Sequence, residues 1–225
     1  KLGQKAEISV IGIGAIDKFV LNLEANETEE QRYILDYLPV SEQWNYAIGT
    51  VYRQFRSNGF DTWVLSRNML RNFSYKYPGN DESQPRSFDY VSDEIENKLR
   101  FERQMEADGF RFSFGAGGEY ARYLNQTYQQ LLFMNQVQII DYDSSFDMFK
   151  WNFFGQVSRS VLNQKLALSF GLRADGNSYS KEMQNPLKQL SPRFSASYSL
   201  RQNLFANMNL GRYYQLPPYT TLGFR

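Results

Sequence analysis

Apolar and polar residues alternate along most of this chain with a period of two, the pattern of strands whose two faces meet different surroundings. Leu166, Leu168, Phe170, Leu172 and Ala174 alternate strictly with Ala167, Ser169, Gly171, Arg173 and Asp175. Phe194, Ala196, Tyr198 and Leu200 repeat this against Arg193, Ser195, Ser197, Ser199 and Arg201. On the next segment Leu204, Ala206, Met208 and Leu210 alternate with Asn207, Asn209 and Gly211, with Phe205 breaking polarity. Upstream, Phe110, Phe112, Phe114, Ala116 and Tyr120 oppose Arg111, Ser113, Gly115, Gly117 and Glu119. Ile95, Leu99, Phe101 and Met105 oppose Glu94, Glu96, Lys98, Arg100, Glu102 and Gln104, and Phe149, Trp151, Phe153 and Val157 oppose Lys150, Asn152, Gln156 and Ser158. Trp44, Tyr46, Ile48 and Tyr52 mark a strand before a tight turn, and Trp63, Leu65 and Met69 one after it. The first strand, about 6–23, is the least regular, and its run Val10-Ile11-Gly12-Ile13-Gly14 predicts a β-bulge.

The connections between these strands fall into two kinds that take turns. Arg56-Ser57-Asn58-Gly59, Ala107-Asp108-Gly109, Leu162-Asn163-Gln164-Lys165 and Arg201-Gln202-Asn203 are short and rich in residues that favour tight hairpins. The spans Glu24–Gln43, Ser74–Tyr90, Leu124–Ser145 and Gly176–Leu190 are predicted to be long. Outer-membrane barrels sort their connections in this way, with tight periplasmic turns and long extracellular loops. The expected fold is therefore all-β, an antiparallel up-and-down meander of about nine strands. Several strands exceed the ~10 residues that cross a bilayer at a 45° tilt. Trp63, close to a short turn, is expected in a lower aromatic girdle, and Trp151, roughly 28 Å above its turn, in an upper one. The alternative is a soluble or cell-surface all-β binding or structural domain, whose strands also alternate.

Composition narrows the chemistry. The net charge of +1 and the absence of any Lys/Arg cluster give no argument for nucleic acid. Without cysteine there is neither disulfide nor thiolate metal site, and without histidine there is no Ser–His or Cys–His pair and no His-ligated zinc. No stretch approaches the ~20 apolar residues of a transmembrane helix, while a mean hydropathy of −0.57 suits barrel strands that are only half apolar. The aromatic share of 16% suits girdles. No convergent nucleophile and base stand out, so no enzyme activity is expected.

Three motifs invite a chemical reading. Gly12-x-Gly14 mimics the opening of a dinucleotide fingerprint, but Asp17 takes the third glycine position and no amphipathic helix follows. Asp141-x-Asp143-x-Ser145-x-Asp147 has the ligand spacing of a calcium loop. Phe146 replaces the required glycine and Asn152 the closing glutamate, which leaves a looser calcium site on Asp141, Asp143 and Asp147 or a solvated acidic loop. Glu24, Glu27, Glu29, Glu30, Asp36 and Glu42 crowd the first long span, as a solvated face or as an attractor of cations. Aromatic side chains mixed with arginine are the candidates for ligand contact: Tyr75, Tyr77, Arg86, Phe88, Tyr90, Tyr128 and Tyr142, then Arg212, Tyr213, Tyr214 and Tyr219. Small inward residues, Gly115, Gly117, Ser169, Gly171, Ser195, Ser197 and Ser199, suit either a crowded interior or a wall approached closely from inside.

Leu190-Ser191-Pro192-Arg193-Phe194-Ser195, followed by Leu210-Gly211-Arg212-Tyr213-Tyr214-Gln215-Leu216-Pro217-Pro218-Tyr219, resembles TonB-dependent outer-membrane receptors, particularly of the Bacteroidetes type. Ile11-Gly12-Ile13-Gly14-Ala15-Ile16-Asp17 and Asp61-Thr62-Trp63-Val64-Leu65-Ser66-Arg67-Asn68 look like barrel strands of the same family. The resemblance implies a 22-stranded barrel in the bacterial outer membrane, plugged by an N-terminal domain and importing a small nutrient, a siderophore, glycan or peptide, with energy from TonB. It also implies outer-membrane lipid and the TonB system, through the plug, as partners, with a surface lipoprotein as a further candidate. At about 25 residues per strand, 22 strands need about 550 residues, so 225 residues are expected to form one partial barrel domain over 1–225. Lys1 starts abruptly and no plug pattern precedes the first strand, which fits an internal piece of a longer protein.

Overall fold

The computed structural model describes residues 5–25, 27–134 and 136–223; Lys1, Phe224 and Arg225 lie outside them. β1 (Ala6–Phe19), β2 (Val40–Arg56), β3 (Gly59–Lys76), β4 (Phe88–Ala107), β5 (Phe110–Phe133), β6 (Gln136–Val161), β7 (Leu166–Asn177), β8 (Leu190–Arg201) and β9 (Leu204–Gly211) form one antiparallel sheet. Each strand pairs with its sequence neighbours, in the order β1 to β9. The expected meander is thus the observed one. Its short turns all lie at one end. At Asp108-Gly109 both residues have positive φ, 50° and 75°, the geometry of a two-residue hairpin whose twist matches its strands.

Register decides which residues share a face. Gly49, Ser66, Lys98, Glu119, Lys150 and Asn177 follow one another across β2 to β7, and this face we call inner. Ile48, Arg67, Asn97, Tyr120 and Phe149 run alongside on the outer face. Outer side chains such as Val10, Ile16, Leu65, Leu99, Phe153 and Phe170 are exposed, Ile16 by 87%, so the apolar half of the sheet's pattern is turned away from the chain's own interior. Trp63 packs on Phe101 at 4.5 Å low on that face, near the short turns. Trp44–Tyr46 and Phe149–Trp151 stack at 5.9 and 5.8 Å near its upper part, where Tyr120 pairs with Phe149. These are the two expected aromatic girdles.

Glycine and serine keep the inner face thin, and Gly115 shows why one of them must. A Cβ there would stand 2.1 Å from the Phe101 carbonyl oxygen and 2.8 Å from the Phe154 ring.

The structure corrects several expectations at the ends opposite the short turns. Leu124–Ser145 is not a long loop: β5 and β6 continue through it, 24 and 26 residues long, as one tall hairpin. β1 ends at Phe19 rather than 23, and no bulge interrupts Val10–Gly14, whose register with β2 is continuous. Among the described residues the sheet's one register shift lies between Ser199 and Arg201. The first long span contains helix α1 (Glu29–Tyr37). Thr28 Oγ1 accepts from the Gln31 N–H at 3.2 Å, and Gln31 Oε1 accepts from the Thr28 N–H at 3.0 Å, a reciprocal capping box. The crowded acidic residues Glu29 and Glu30 occupy its first turn, where the helix dipole favours them. At its far end Lys76 Nζ donates to the Leu35 carbonyl at 2.7 Å and to Asn80 Oδ1 at 2.6 Å, tying helix and loop to the top of β3. Burial there pushes the Lys76 ammonium below its ordinary value.

Candidate functional site

Past β9 the chain folds back over the inner face. The backbone N–H of Arg212 donates to the Pro192 carbonyl at 3.1 Å, and Tyr214 Oη donates to the Lys188 carbonyl at 3.2 Å. Pro217 and Pro218 lead into a single helical turn, Tyr219–Leu222, seated on β4, β5 and β6. Among the described residues Tyr219, Leu222, Tyr123, Met148 and Ala121 form a small buried cluster, with Phe146 packed against it.

Charge holds the same turn in place. Tyr219 Oη donates to Glu96 and, at 3.4 Å, to Glu119, and accepts from Lys150 Nζ, which also lies 4.9 Å from the ring centre. Lys150 pairs with Glu119, while Lys98 pairs with Glu96 at 2.6 Å and Asn68 Nδ2 donates to Glu96 at 3.0 Å. Burial, and then the Glu96 carboxylate, push the Tyr219 phenol far above its ordinary value, so it remains a hydrogen-bond donor at any physiological pH. Beyond it Ser144 Oγ donates to the Gly223 carbonyl, and Tyr179 Oη donates to that of Leu222 at 3.1 Å. A Cβ on Gly223 would stand 2.7 Å from the Tyr123 ring. Glu96, Glu119 and Lys150 lie about ten residues above the short turns, roughly 25 Å up a tilted strand, level with the upper girdle.

Two cavities flank this segment on the inner wall. One of about 360 Å³ is lined by Lys98, Arg100, Asn152, Phe154, Arg173 and Arg193 among others. Arg173 is paired with Asp175 at 2.7 Å and Arg100 with Glu102, while the Arg193 guanidinium lies 4.7 Å over the Tyr213 ring. The other, about 210 Å³, lies between the wall and Tyr214, Gln215 and Leu216. Their polar linings and size suit parts of a small molecule rather than a closed catalytic pocket.

The ligand-contact candidates divide among three places. Arg212, Tyr213 and Tyr214 belong to the inward-folded segment, with Arg212 lying 4.7 Å over the Tyr214 ring. Tyr75, Tyr77 and Arg86 meet on the outer side near the top of β3, joined by Phe73. The guanidinium lies 4.5 Å over Tyr75, 5.3 Å over Phe73 and 5.8 Å over Tyr77. Hydrogen bonds to Asp89, at 2.5 Å, and to Tyr77 hold the Arg86 cation above its ordinary pKa. Phe88 stacks on Tyr90 at 6.4 Å on the inner face, beside Tyr123, and Tyr142 is half-buried on the same face. Tyr128 is on the outer face, accepting from Gln130 Nε2 at 2.6 Å.

Asp141, Asp143 and Asp147 do not sit in a loop. They lie on the outer face of β6, where alternate residues are ~6.6 Å apart, so their carboxylates are strung along a strand instead of converging. Among the described residues no three acidic side chains are gathered as a metal site.

Glu96, Glu119 and Lys150 were legible only as polar-face positions of their strands. The signal that unites them is height: each lies about the same distance above its short turn, on the same face.

An antiparallel sheet with an apolar outer face between aromatic girdles, a polar small-residue inner face and one-sided turns is the wall of an outer-membrane β-barrel. Over residues 15–225 the sequence matches the family described as TonB dependent receptor-like, beta-barrel, and the chain belongs to that family. Its members are receptors and transporters of the bacterial outer membrane and not enzymes. No curated protein matches the chain.

Proposed function

We propose that this chain is part of the barrel wall of a receptor that takes up a small nutrient, a siderophore, glycan or peptide, through the lumen with energy from TonB. The nine strands are one stretch of a larger barrel, and the outer band meets membrane lipid. The observation that carries this reading is the division of the sheet into an apolar outer face and a polar inner face onto which Arg212–Gly223 is folded. On it, the two inner cavities lie along the path of the nutrient, and the inward segment narrows that path level with the outer leaflet. Growth of cells on a panel of iron–siderophore complexes, oligosaccharides and peptides, each as sole source, tests it. At least one source is expected to need both this receptor and TonB. Growth that needs the receptor but survives loss of TonB overturns the reading.

A further inference from the structure

β5 and β6 rise past their neighbours. β4 accompanies β5 as far as the Phe88–Gln129 pair, but β7 leaves β6 at the Asn177–Lys150 pair. Among the described residues no strand pairs with β6 above that point on its β7 side. The N–H and C=O of Phe149 turn toward this side, where they meet Ser178. Register with β5 runs without a shift from there to Gln136. Alternate residues upward, Val137, Ile139, Asp141, Asp143, Ser145 and Asp147, therefore offer backbone donors and acceptors along one open edge.

Side chains near the top of this edge are apolar and uncovered. Val137 is 64% exposed and Ile139 61%, and Leu132 and Met134 across the hairpin are 75% and 84% exposed. Ile139 lies roughly 28 Å above the level of Trp151, beyond the ~25 Å apolar band, so acyl chains cannot cover it. Full-length pairing with a second copy about Tyr142 is also disfavoured, because it sets Asp141 opposite Asp143 in both directions and like charges directly opposite destabilise a ladder. Among the described residues neither carboxylate has a salt-bridge partner, whereas Asp147 is engaged by Tyr120 and Arg122.

We propose that this edge of β6 receives an extended segment of another cell-surface protein as an added strand, basic where it faces Asp141 and Asp143 and apolar nearer the tip. Backbone hydrogen bonds would supply affinity and the carboxylates the choice of partner, as in other cases of strand addition. The proposal concerns a partner outside the lumen and does not depend on which nutrient is carried.

The test uses the full-length receptor in lipid nanodiscs. The probes are a short synthetic valine peptide with lysine at two alternate positions, its glutamate counterpart, and the lysine peptide N-methylated at alternate residues. The lysine peptide is expected to bind and to slow amide exchange at Ile139, Asp141 and Asp143, and the glutamate and N-methylated peptides to bind neither there nor comparably. In the double variant Asp141→Lys, Asp143→Lys the lysine peptide should bind about tenfold more weakly and the glutamate peptide should take its place. Equal binding of the N-methylated peptide, no binding of any peptide, protection elsewhere, or self-association of the receptor through this edge overturns the proposal. Should the double variant fail to fold, the comparison of N-methylated with unmodified peptide on the unaltered receptor still decides.

Discussion

Tyr219 fastens the inward-folded segment to the inner face, because one hydroxyl engages side chains from three strands. Replacing it by phenylalanine keeps the ring among Tyr123 and Phe146 but leaves Glu96, Glu119 and Lys150 without their common partner. Tyr219→Phe is expected to weaken the seating of the segment by about 1–3 kcal/mol, the range for an unmade buried polar contact. Amide exchange at Gly223 reads this directly, and unchanged exchange would show that the ring alone anchors the turn. The contact spans 123 residues of sequence, so no local pattern announces it. Tyr75, Tyr77 and Arg86 were legible for the opposite reason: they are close in sequence, and Phe73 shares the face by period two. Asp81 supplies a pH test in the same loop. Hydrogen bonds from the Ser83 hydroxyl, the Ser83 N–H and Gln84 hold its carboxyl below the ordinary aspartate value. A depressed folded pKa contributes order that is present above the unfolded value of about 3.9 and is lost as pH falls through the folded one. Exchange of the Ser83 N–H, corrected for its intrinsic rate, is therefore expected to accelerate only below about pH 4. Acceleration at higher pH would mean that another group holds the turn.

Strands were readable from their alternation because one face is apolar and the other is not, and this makes a sharp test. Leu65 and Ser66 are neighbours in β3 on opposite faces. Leu65→Arg is expected to cost about 2–4 kcal/mol in a folded barrel in lipid, and Ser66→Arg a small fraction of that. Urea unfolding of the full-length receptor in vesicles compares the two, and equal costs would contradict the assignment of faces. The tall hairpin was less readable. Asn125, Gln126, Gln129 and Gln130 look like loop residues, yet Thr127, Tyr128, Val137, Ile139 and Tyr142 are strand formers, and two strands paired with each other need no apolar face to hold their ladder. In α1 the acidic crowd hid a helix whose start was written in Thr28 and Gln31. Part of a charge excess that suits a solvated face or a cation attractor serves the helix dipole instead.

At the scale of the whole molecule the sheet's order was legible and its interior was not. Nine strands follow one another because each turn is either two to four residues long or stands at the far end. What the inner face does depends on a segment that has no periodicity at all, since Arg212–Pro218 is neither helix nor strand. Among the described residues β1 and β9 each pair on one side only. A protein of residues 1–225 alone, refolded in detergent, is therefore expected to associate through those edges. Sedimentation of a stable monomer would show that the sheet covers its own margins.

The inward-folded segment has a geometric meaning as well as a chemical one. It leaves the sheet at β9 and is fastened at β4, so it spans an arc of five inter-strand steps, about 24 Å along the sheet. A segment fastened at both ends joins two strands that do not pair with each other, so β4 and β9 can part no further than its irregular stretch allows. The side chains that fasten Tyr219 thus tie together distant parts of the wall that the backbone ladder links only through the strands between them.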